Sequence, residues 1–296
     1  MGIARIAMFM LQASVFLLVF SIDLRATWQD ATSLFRRPAV LARSLLSMNV
    51  VMPVFATAVA RVFDLHPAIK IALVLLAVSP VPPILPQRQL KVGGSLAYVH
   101  GLLTEMSLLS ILVVPFAVDV LGRIFSQDVH IAPTAVAKVV VKTILLPLGL
   151  GILVHGRWPR FAERASAPLR RIANLLLLAA ALPLLGVAWR PVMALIGNGA
   201  VLAMAAFCVV GVAVGHWLGG PDPSERSTLA LATACRHPGL AIAIAAANFP
   251  EQRRLVAAAV VLYLLVSTLV LIPYTAWCKR RLSQPVESPG PQHGAA

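Results

Sequence analysis

An arginine, a histidine, a proline and a glycine stand together in the otherwise apolar stretch "ATACRHPGLAIAIAAANFP", which covers residues 232–250. Arg236 can bind an anion or neutralise backbone carbonyls, and His237 can exchange a proton near neutral pH. Pro238 removes a backbone donor and pushes the preceding residue away from helical angles, while Gly239 loosens the chain further. The stretch therefore predicts a helix that breaks beside a charged group.

A second stretch is equally unsuited to a continuous helix. "SPVPPILPQRQ", residues 79–89, contains the prolines Pro80, Pro82, Pro83 and Pro86. Backbone broken at membrane depth is tolerated only where protein or water satisfies the freed groups, and paired breaks in two halves of a chain are typical of transporter binding sites. Kinked helices with a purely structural role are the alternative. Arg88, which follows the first break, fits either a ligand or a charge at the membrane edge.

The composition defines the elements that must position these residues. Hydrophobic residues make up 59% of the 296-residue chain, charged residues make up 12%, and the mean hydropathy is +0.86. A soluble domain carries about 25% charged residues. We therefore predict an all-α integral membrane protein embedded in a lipid bilayer. The net charge of +14 comes mostly from short loops, as membrane orientation requires, so we expect no nucleic-acid partner.

Apolar periodicity predicts about nine transmembrane helices. They are 5–24, 38–61, 67–92 (interrupted), 94–120, 131–155, 171–189, 191–218, 226–249 (interrupted) and 254–278. The polar, proline-rich residues 282–296 predict a disordered cytoplasmic tail. Fourteen Lys and Arg residues fall in the loops of one side and seven in those of the other. This bias predicts a multi-pass protein of the plasma (bacterial inner) membrane with its N-terminus outside and its C-terminus in the cytoplasm.

Three segments, in this order, resemble the bile acid:sodium symporter superfamily: "SLFRRPAVLARSLLSMNVVMPVFA", "VVKTILLPLGLGILVH" and "PGLAIAIAAANF". The resemblance implies inverted repeats, a panel domain, a core domain and two broken helices that cross. This chain is similar to a divergent member that lacks the first helix of the family, which leaves four spans plus five. The first repeat would cover residues 1–122 and the second residues 131–281.

The resemblance also implies where sodium would bind. The positions that match the family's sodium ligands and the polar residues around them carry Leu85, Pro86, Val99, Leu103, Met48, Ala232 and Arg236 in this sequence. Sodium requires several oxygen ligands, above all a carboxylate. We therefore expect no sodium at the usual site, no metal and no cofactor. Our hypothesis is that the guanidinium of Arg236 replaces the ion among the carbonyls of the broken helix.

Several roles remain open for the polar residues inside the spans. Glu105 is the expected partner of Arg236, although Arg236 could also fill only its own helix break or face a substrate. His100, Glu105 and His237 are candidates for proton coupling, and Thr104 is a candidate lining residue. A non-standard sodium site would use Thr104, Glu105 and Thr233.

These expectations favour a secondary active transporter that moves a small organic anion by alternating access, either without sodium or with protons. The alternative is a sodium-dependent symporter for bile-acid-like anions that uses non-standard cation ligands. The sequence has no HExxH or GxSxG motif and no paired aspartates on a span, so we expect no enzyme.

Overall fold

The computed structural model describes residues 2–282, and every regular element in that range is helical, which confirms the all-α prediction. In chain order the helices are α1 (Gly2–Asp23), α2 (Trp28–Ala31), α3 (Pro38–Leu45), α4 (Met52–Val62), α5 (Pro67–Val78), α6 (Leu85–Lys91), α7 (Leu96–Phe125), α8 (Pro133–Val140), α9 (Leu146–Arg157), α10 (Pro159–Leu195), α11 (Ala200–Leu218), α12 (Pro223–Ala234), α13 (Pro238–Asn248) and α14 (Arg253–Leu282). Two π-helical stretches, Leu46–Val51 and Val141–Leu145, join α3 to α4 and α8 to α9. Apart from Leu282, the predicted tail lies outside the described residues.

Eight helical units of the described chain are long and apolar enough to cross a membrane. They are Arg5–Asp23, Pro38–Val62, Leu96–Phe125, Pro133–Arg157, Pro159–Leu195, Ala200–Leu218, Pro223–Asn248 and Arg253–Arg281. The shorter apolar helix α5 and the seven residues of α6 occupy the predicted third, interrupted span. The membrane assignment is confirmed, whereas the count of nine and the repeat boundaries stay predictions.

The predicted bounds of the sixth and seventh spans are wrong. Helix α10 continues for 37 residues and contains Pro191, where the sequence suggested a turn. The chain turns instead after α10, where Gly197 and Gly199 adopt φ angles of +147° and +78°. Such positive φ angles are accessible to glycine at no steric cost, so the two glycines determine the turn better than a single proline does.

Helix α12, the first half of the second broken span, is held by direct backbone contact with α11. A Cβ atom added to Gly211 would lie 2.8 Å from the Cα of Ala234, and one added to Gly215 would lie 2.6 Å from the Cα of Ala230. The two glycines are four residues apart and therefore share one face of α11. Small residues at this spacing let two helices approach closely, and this contact determines the level along α11 at which the second break lies.

Contacts between loops indicate which helix ends lie on the same side of the molecule. Arg37, before α3, forms an ion pair with Glu225 at the start of α12. At the opposite end of the helices, the backbone N–H of His130 donates to Oδ1 of Asn248 at 2.9 Å. Both contacts agree with the two groups of loops into which the basic residues divide. Which group faces the cytoplasm stays a prediction.

Candidate functional site: the helix crossing

The structure contains both predicted interruptions, and they lie against each other. The first separates α5 from α6 at residues 79–84, and the second separates α12 from α13 at residues 235–237. The backbone N–H of His237 donates to the carbonyl of Pro80 at 2.9 Å. A main-chain hydrogen bond therefore joins the two broken helices where they cross.

The guanidinium of Arg236 lies inside this crossing, with only 1% of the residue exposed. Its Nη1 donates to the carbonyl of Ser79 at 3.3 Å, and its Nη2 donates to the carbonyl of Met48 at 2.7 Å. Ser79 caps the C-terminus of α5, where unpaired carbonyls and the helix dipole concentrate negative charge. The cation is thus bound by main-chain oxygens of two other segments.

A π-helical stretch explains why the Met48 carbonyl is available to Arg236. In a π-helix each carbonyl accepts from the N–H five residues further on. For Met48 that residue is Pro53, which has no N–H. The guanidinium supplies the donor that the proline cannot.

Tyr263 of α14 bonds to two backbone groups at the second break, a role that the sequence analysis missed. Its hydroxyl donates to the carbonyl of Ala234 at 2.7 Å and accepts from the backbone N–H of Arg236 at 3.0 Å. A tyrosine in the middle of the apolar stretch "AAAVVLYLLVSTLVL" was the available signal, because a buried tyrosine hydroxyl usually has a partner.

His237 serves as the N-cap of α13, and its ring is fully engaged. Nδ1 accepts from the backbone N–H of Leu240 at 3.2 Å, and Nε2 lies 3.3 Å from Oγ1 of Thr143. Since Thr143 donates its own proton to the carbonyl of Val139, it can accept from Nε2–H. These contacts fit a neutral imidazole that carries its proton on Nε2.

The expected ion pair between Arg236 and Glu105 is not formed. Oε1 of Glu105 accepts instead from the backbone N–H of Leu34 at 2.7 Å. The loop between α2 and α3 reaches this depth because Gly101, one helical turn earlier, leaves room for Ser33 and Leu34. Glu105 anchors that loop, and the carbonyls around Arg236 stabilise the charge that Glu105 was expected to neutralise.

The remaining candidates from the breaks lie around the crossing without forming one ligand set. Oγ1 of Thr233 lies 2.7 Å from Oγ of Ser47, and Thr104 donates to the carbonyl of His100 in its own helix. Ala232, Pro83 and Pro86 are buried, Pro238 begins α13 and is half-buried, and Gly239 and Arg88 are exposed. The structure therefore brings Arg236, His237, Ala232 and Thr233 together, whereas Glu105 and Thr104 lie on α7 beside another loop.

His100 has an acidic partner that the sequence analysis did not pair with it. Its Nδ1 lies 2.6 Å from Oδ1 of Asp23, at the end of α1, and the two side chains are 0% and 1% exposed. Asp23 falls at the predicted end of a span, so its depth within the fold could not be read from the sequence.

A cavity of about 350 Å³ opens on the face of the molecule where α5 begins and α7 ends. Its walls are mainly apolar, and the polar side chains at its rim are Lys70, Gln127 and Gln252. An ammonium group beside apolar walls suits an amphipathic anion. This cavity was not predicted, because its walls come from segments far apart in the chain.

A family model described as "Sodium Bile acid symporter family" matches residues 13–193. The match spans more than half of the 296 residues and includes the first broken helix. The chain belongs to the sodium bile acid symporter family. No curated protein gives a significant match.

Membership in the sodium bile acid symporter family confirms the resemblance inferred from the sequence. It places the protein among membrane transporters, which at the level of the family is consistent with a protein that is not an enzyme. The matched region ends before α12, so Arg236 and the second break are described by the structure alone.

Proposed function

We propose that this protein is a secondary active transporter that moves a small organic anion by alternating access and does not use sodium at the usual family site. The observation that carries the proposal is the fully buried guanidinium of Arg236, bound to the carbonyls of Ser79 and Met48 at the crossing. A cation is already present there, tethered to the chain. A second cation beside it would be repelled.

The surroundings of Arg236 support this proposal. Four positions at which the sequence resemblance implies the family's ion site, Met48, Leu85, Leu103 and Ala232, belong to one buried apolar cluster. Apolar side chains supply no oxygen ligands, and a hard cation would lose its hydration there without replacement. The family name, the apolar cavity and its half-buried Lys70 favour an organic anion as substrate.

The alternative is a sodium-dependent symporter whose ion is bound by Thr104, Glu105 and Thr233. The shared family favours it, because the family is described as sodium symporters. The contacts do not, because Glu105 is engaged by Leu34 and Thr233 by Ser47. These side chains would have to leave their present partners to meet at one ion.

Ligand-dependent stability separates the two functions. The purified protein is heated with a panel of organic acids in sodium chloride and, at equal ionic strength, in choline chloride. We expect at least one acid to raise the melting temperature equally in both salts, and the same acid to accumulate in proteoliposomes without a sodium gradient. A shift or an uptake that requires sodium would favour the alternative.

A double variant provides a matched test of the replacement. Ala232→Glu with Arg236→Gln restores a carboxylate and removes the resident cation, so sodium should now raise the melting temperature. Binding at one hundred times the dissociation constant adds about 2.7 kcal/mol of stability. The single variant Arg236→Gln lacks the carboxylate and serves as control. An equal response of both variants to sodium would contradict the replacement hypothesis.

The proposal includes an orientation. The N-terminus would be outside and the C-terminus in the cytoplasm of a plasma (bacterial inner) membrane, so that the cavity beside Lys70 opens outward. The excess of basic residues in the loops joined by the Arg37–Glu225 pair supports this orientation. Cysteine labelling of intact cells at residue 128, in the loop before α8, and at residue 160, at the start of α10, tests it.

A further inference from the structure

We propose that Asp23 and His100 form the proton-binding site that couples transport to a proton gradient. The inference rests on the proposed function and names its coupling ion. It begins from the 2.6 Å distance between Nδ1 of His100 and Oδ1 of Asp23. Both side chains are at most 1% exposed, so their charges are removed from water.

The polar atoms of the pair are incompletely satisfied. Both carboxyl oxygens of Asp23 and both ring nitrogens of His100 are buried, and none has a partner with hydrogen-bond geometry among the described residues, although Nδ1 and Oδ1 lie 2.6 Å apart. A buried polar atom without a partner costs roughly 1–3 kcal/mol. Such atoms call for a specific explanation, and a site that gains and loses a proton provides one.

The pair also links two helices whose main neighbours differ, although both also pack on the π-helical stretch Val141–Leu145. Helix α1 packs mainly on α10 and α9, whereas α7 packs on α8, α2 and α6. A Cβ atom added to Gly151 of α9 would lie 2.9 Å from the Cβ of Asp23, so glycine is needed to let α9 approach the pair. Protonation here changes the attraction between two groups of helices, which is the property that coupling requires.

The ionisable groups on neighbouring elements leave the pair as an isolated unit. On α9, His155 contacts the carbonyl of Leu24 through Nδ1 at 2.9 Å. On α7, Glu105 is engaged by Leu34, and on α2, Asp30 bonds to Thr27. Lys142 before α9 is exposed, as are Arg160, Glu163, Arg164 and Arg171 along α10, while Arg170 is half-buried. Among the described residues, the ionisable side chain that contacts the Asp23 carboxyl is His100.

The proton step requires no other reactant. In one orientation of the transporter, water delivers a proton to a lone pair of the imidazole beside the Asp23 carboxylate, and the imidazolium and carboxylate attract each other. In the other orientation the same proton returns to water. Carried with a monovalent organic anion, one proton makes the cycle electrically neutral.

The first test needs no substrate. Infrared difference spectra of the purified protein are recorded between about pH 8 and pH 5, the range in which an imidazole titrates. We expect carboxylate and imidazole bands that change together in the wild type. The contribution of the pair to both bands should be absent from Asp23→Asn and from His100→Gln, whose spectra keep the bands of the other histidines, and it should persist in His155→Gln, which removes a neighbouring imidazole. Unchanged bands in the first two variants would overturn the site.

The second test measures coupling. Proteoliposomes loaded with a pH-sensitive dye are given taurocholate or the acid identified by thermal stabilisation, with a pH gradient and without sodium. We expect the pH gradient to drive uptake of the acid in the wild type. In Asp23→Asn the rate of gradient-driven uptake should fall at least tenfold, whereas exchange of the acid at equal pH should be retained. Gradient-driven uptake that survives in a folded Asp23→Asn variant would overturn the inference.

The two proposals fail differently. If no organic acid is transported, the infrared bands still decide whether Asp23 and His100 bind a proton, and the proposed function fails alone. If an acid is exchanged but neither the bands nor the gradient dependence involve Asp23, the coupling inference fails alone. Melting profiles of each variant identify any loss of folding.

Discussion

Removing one oxygen atom from Tyr263 tests whether the second helix break depends on its side-chain partners. In Tyr263→Phe the carbonyl of Ala234 loses its donor and the backbone N–H of Arg236 loses its acceptor. Both groups stay buried, because Ala234 and Arg236 are at most 1% exposed. A buried polar group without a partner costs roughly 1–3 kcal/mol, so we expect Tyr263→Phe to lower the free energy of unfolding by about 2–6 kcal/mol.

Tyr98→Phe is the matched control. Tyr98 is also 1% exposed, and its hydroxyl lies 3.1 Å from Oγ of Ser44. Ser44 keeps a second partner, the carbonyl of Val40 at 2.9 Å, so this substitution leaves no group unpaired. The expected loss is that of one ordinary hydrogen bond, about 0.5–1.5 kcal/mol.

Equilibrium unfolding by a denaturing detergent in mixed micelles measures both free energies under one condition. The reasoning requires Tyr263→Phe to be clearly the more destabilising variant. Equal losses, or a Tyr263→Phe variant as stable as the wild type, would show that water or a rearranged Arg236 satisfies the break without Tyr263.

Two further predictions concern other parts of the molecule. Gly215→Ala should lower the free energy of unfolding by about 1–3 kcal/mol in the same assay, because the new Cβ would lie 2.6 Å from the Cα of Ala230. Gly186→Ala is the control: a Cβ there would meet no atom within 4 Å, so this substitution should be neutral or slightly stabilising. The pKa of His130 should be raised because its ring bonds to Asp119, so its titration in NMR spectra should shift downward in Asp119→Asn. Because the folded state favours the protonated form of His130, His130 stabilises the folded protein at low pH. This stabilisation is lost as the pH rises through the raised pKa.

The helical fold and both breaks were predictable because they depend on local chemistry. Four prolines within the seven residues after Ser79 remove several neighbouring donors, and Pro238 pushes His237 away from helical angles, so no helix continues through either stretch. The long helix α10 was missed because Pro168, Pro183 and Pro191 lie inside it, and a continuous helix tolerates the loss of single hydrogen bonds when the flanking turns remain intact.

The partners of the buried charges could not be predicted in the same way. The sequence predicted Glu105 as the partner of Arg236 because both residues lie deep within predicted spans. Depth along a helix, however, does not determine which face of the helix a side chain occupies. The sequence-based hypothesis placed the guanidinium among backbone carbonyls, and in the structure these are the carbonyls of Ser79 and Met48, which no sequence pattern distinguishes from the others. The pairing of Asp23 with His100 depends on how α1 and α7 pack, which is information that neither segment contains alone.

Under the proposed function, the tethered cation of Arg236 has a consequence for the transport cycle. A free ion that is bound and released in each cycle needs a site that opens to water, and its release can drive the change of state. The Arg236 side chain cannot leave, and it joins the π-helical stretch before α4 to the end of α5 from its position after α12. If these bonds persist, the crossing moves as one body, and the group whose charge changes must lie elsewhere. Under the coupling that we propose, the Asp23–His100 pair meets that condition, because it joins α1, which packs mainly on α10 and α9, to α7, which packs mainly on α8 and α2.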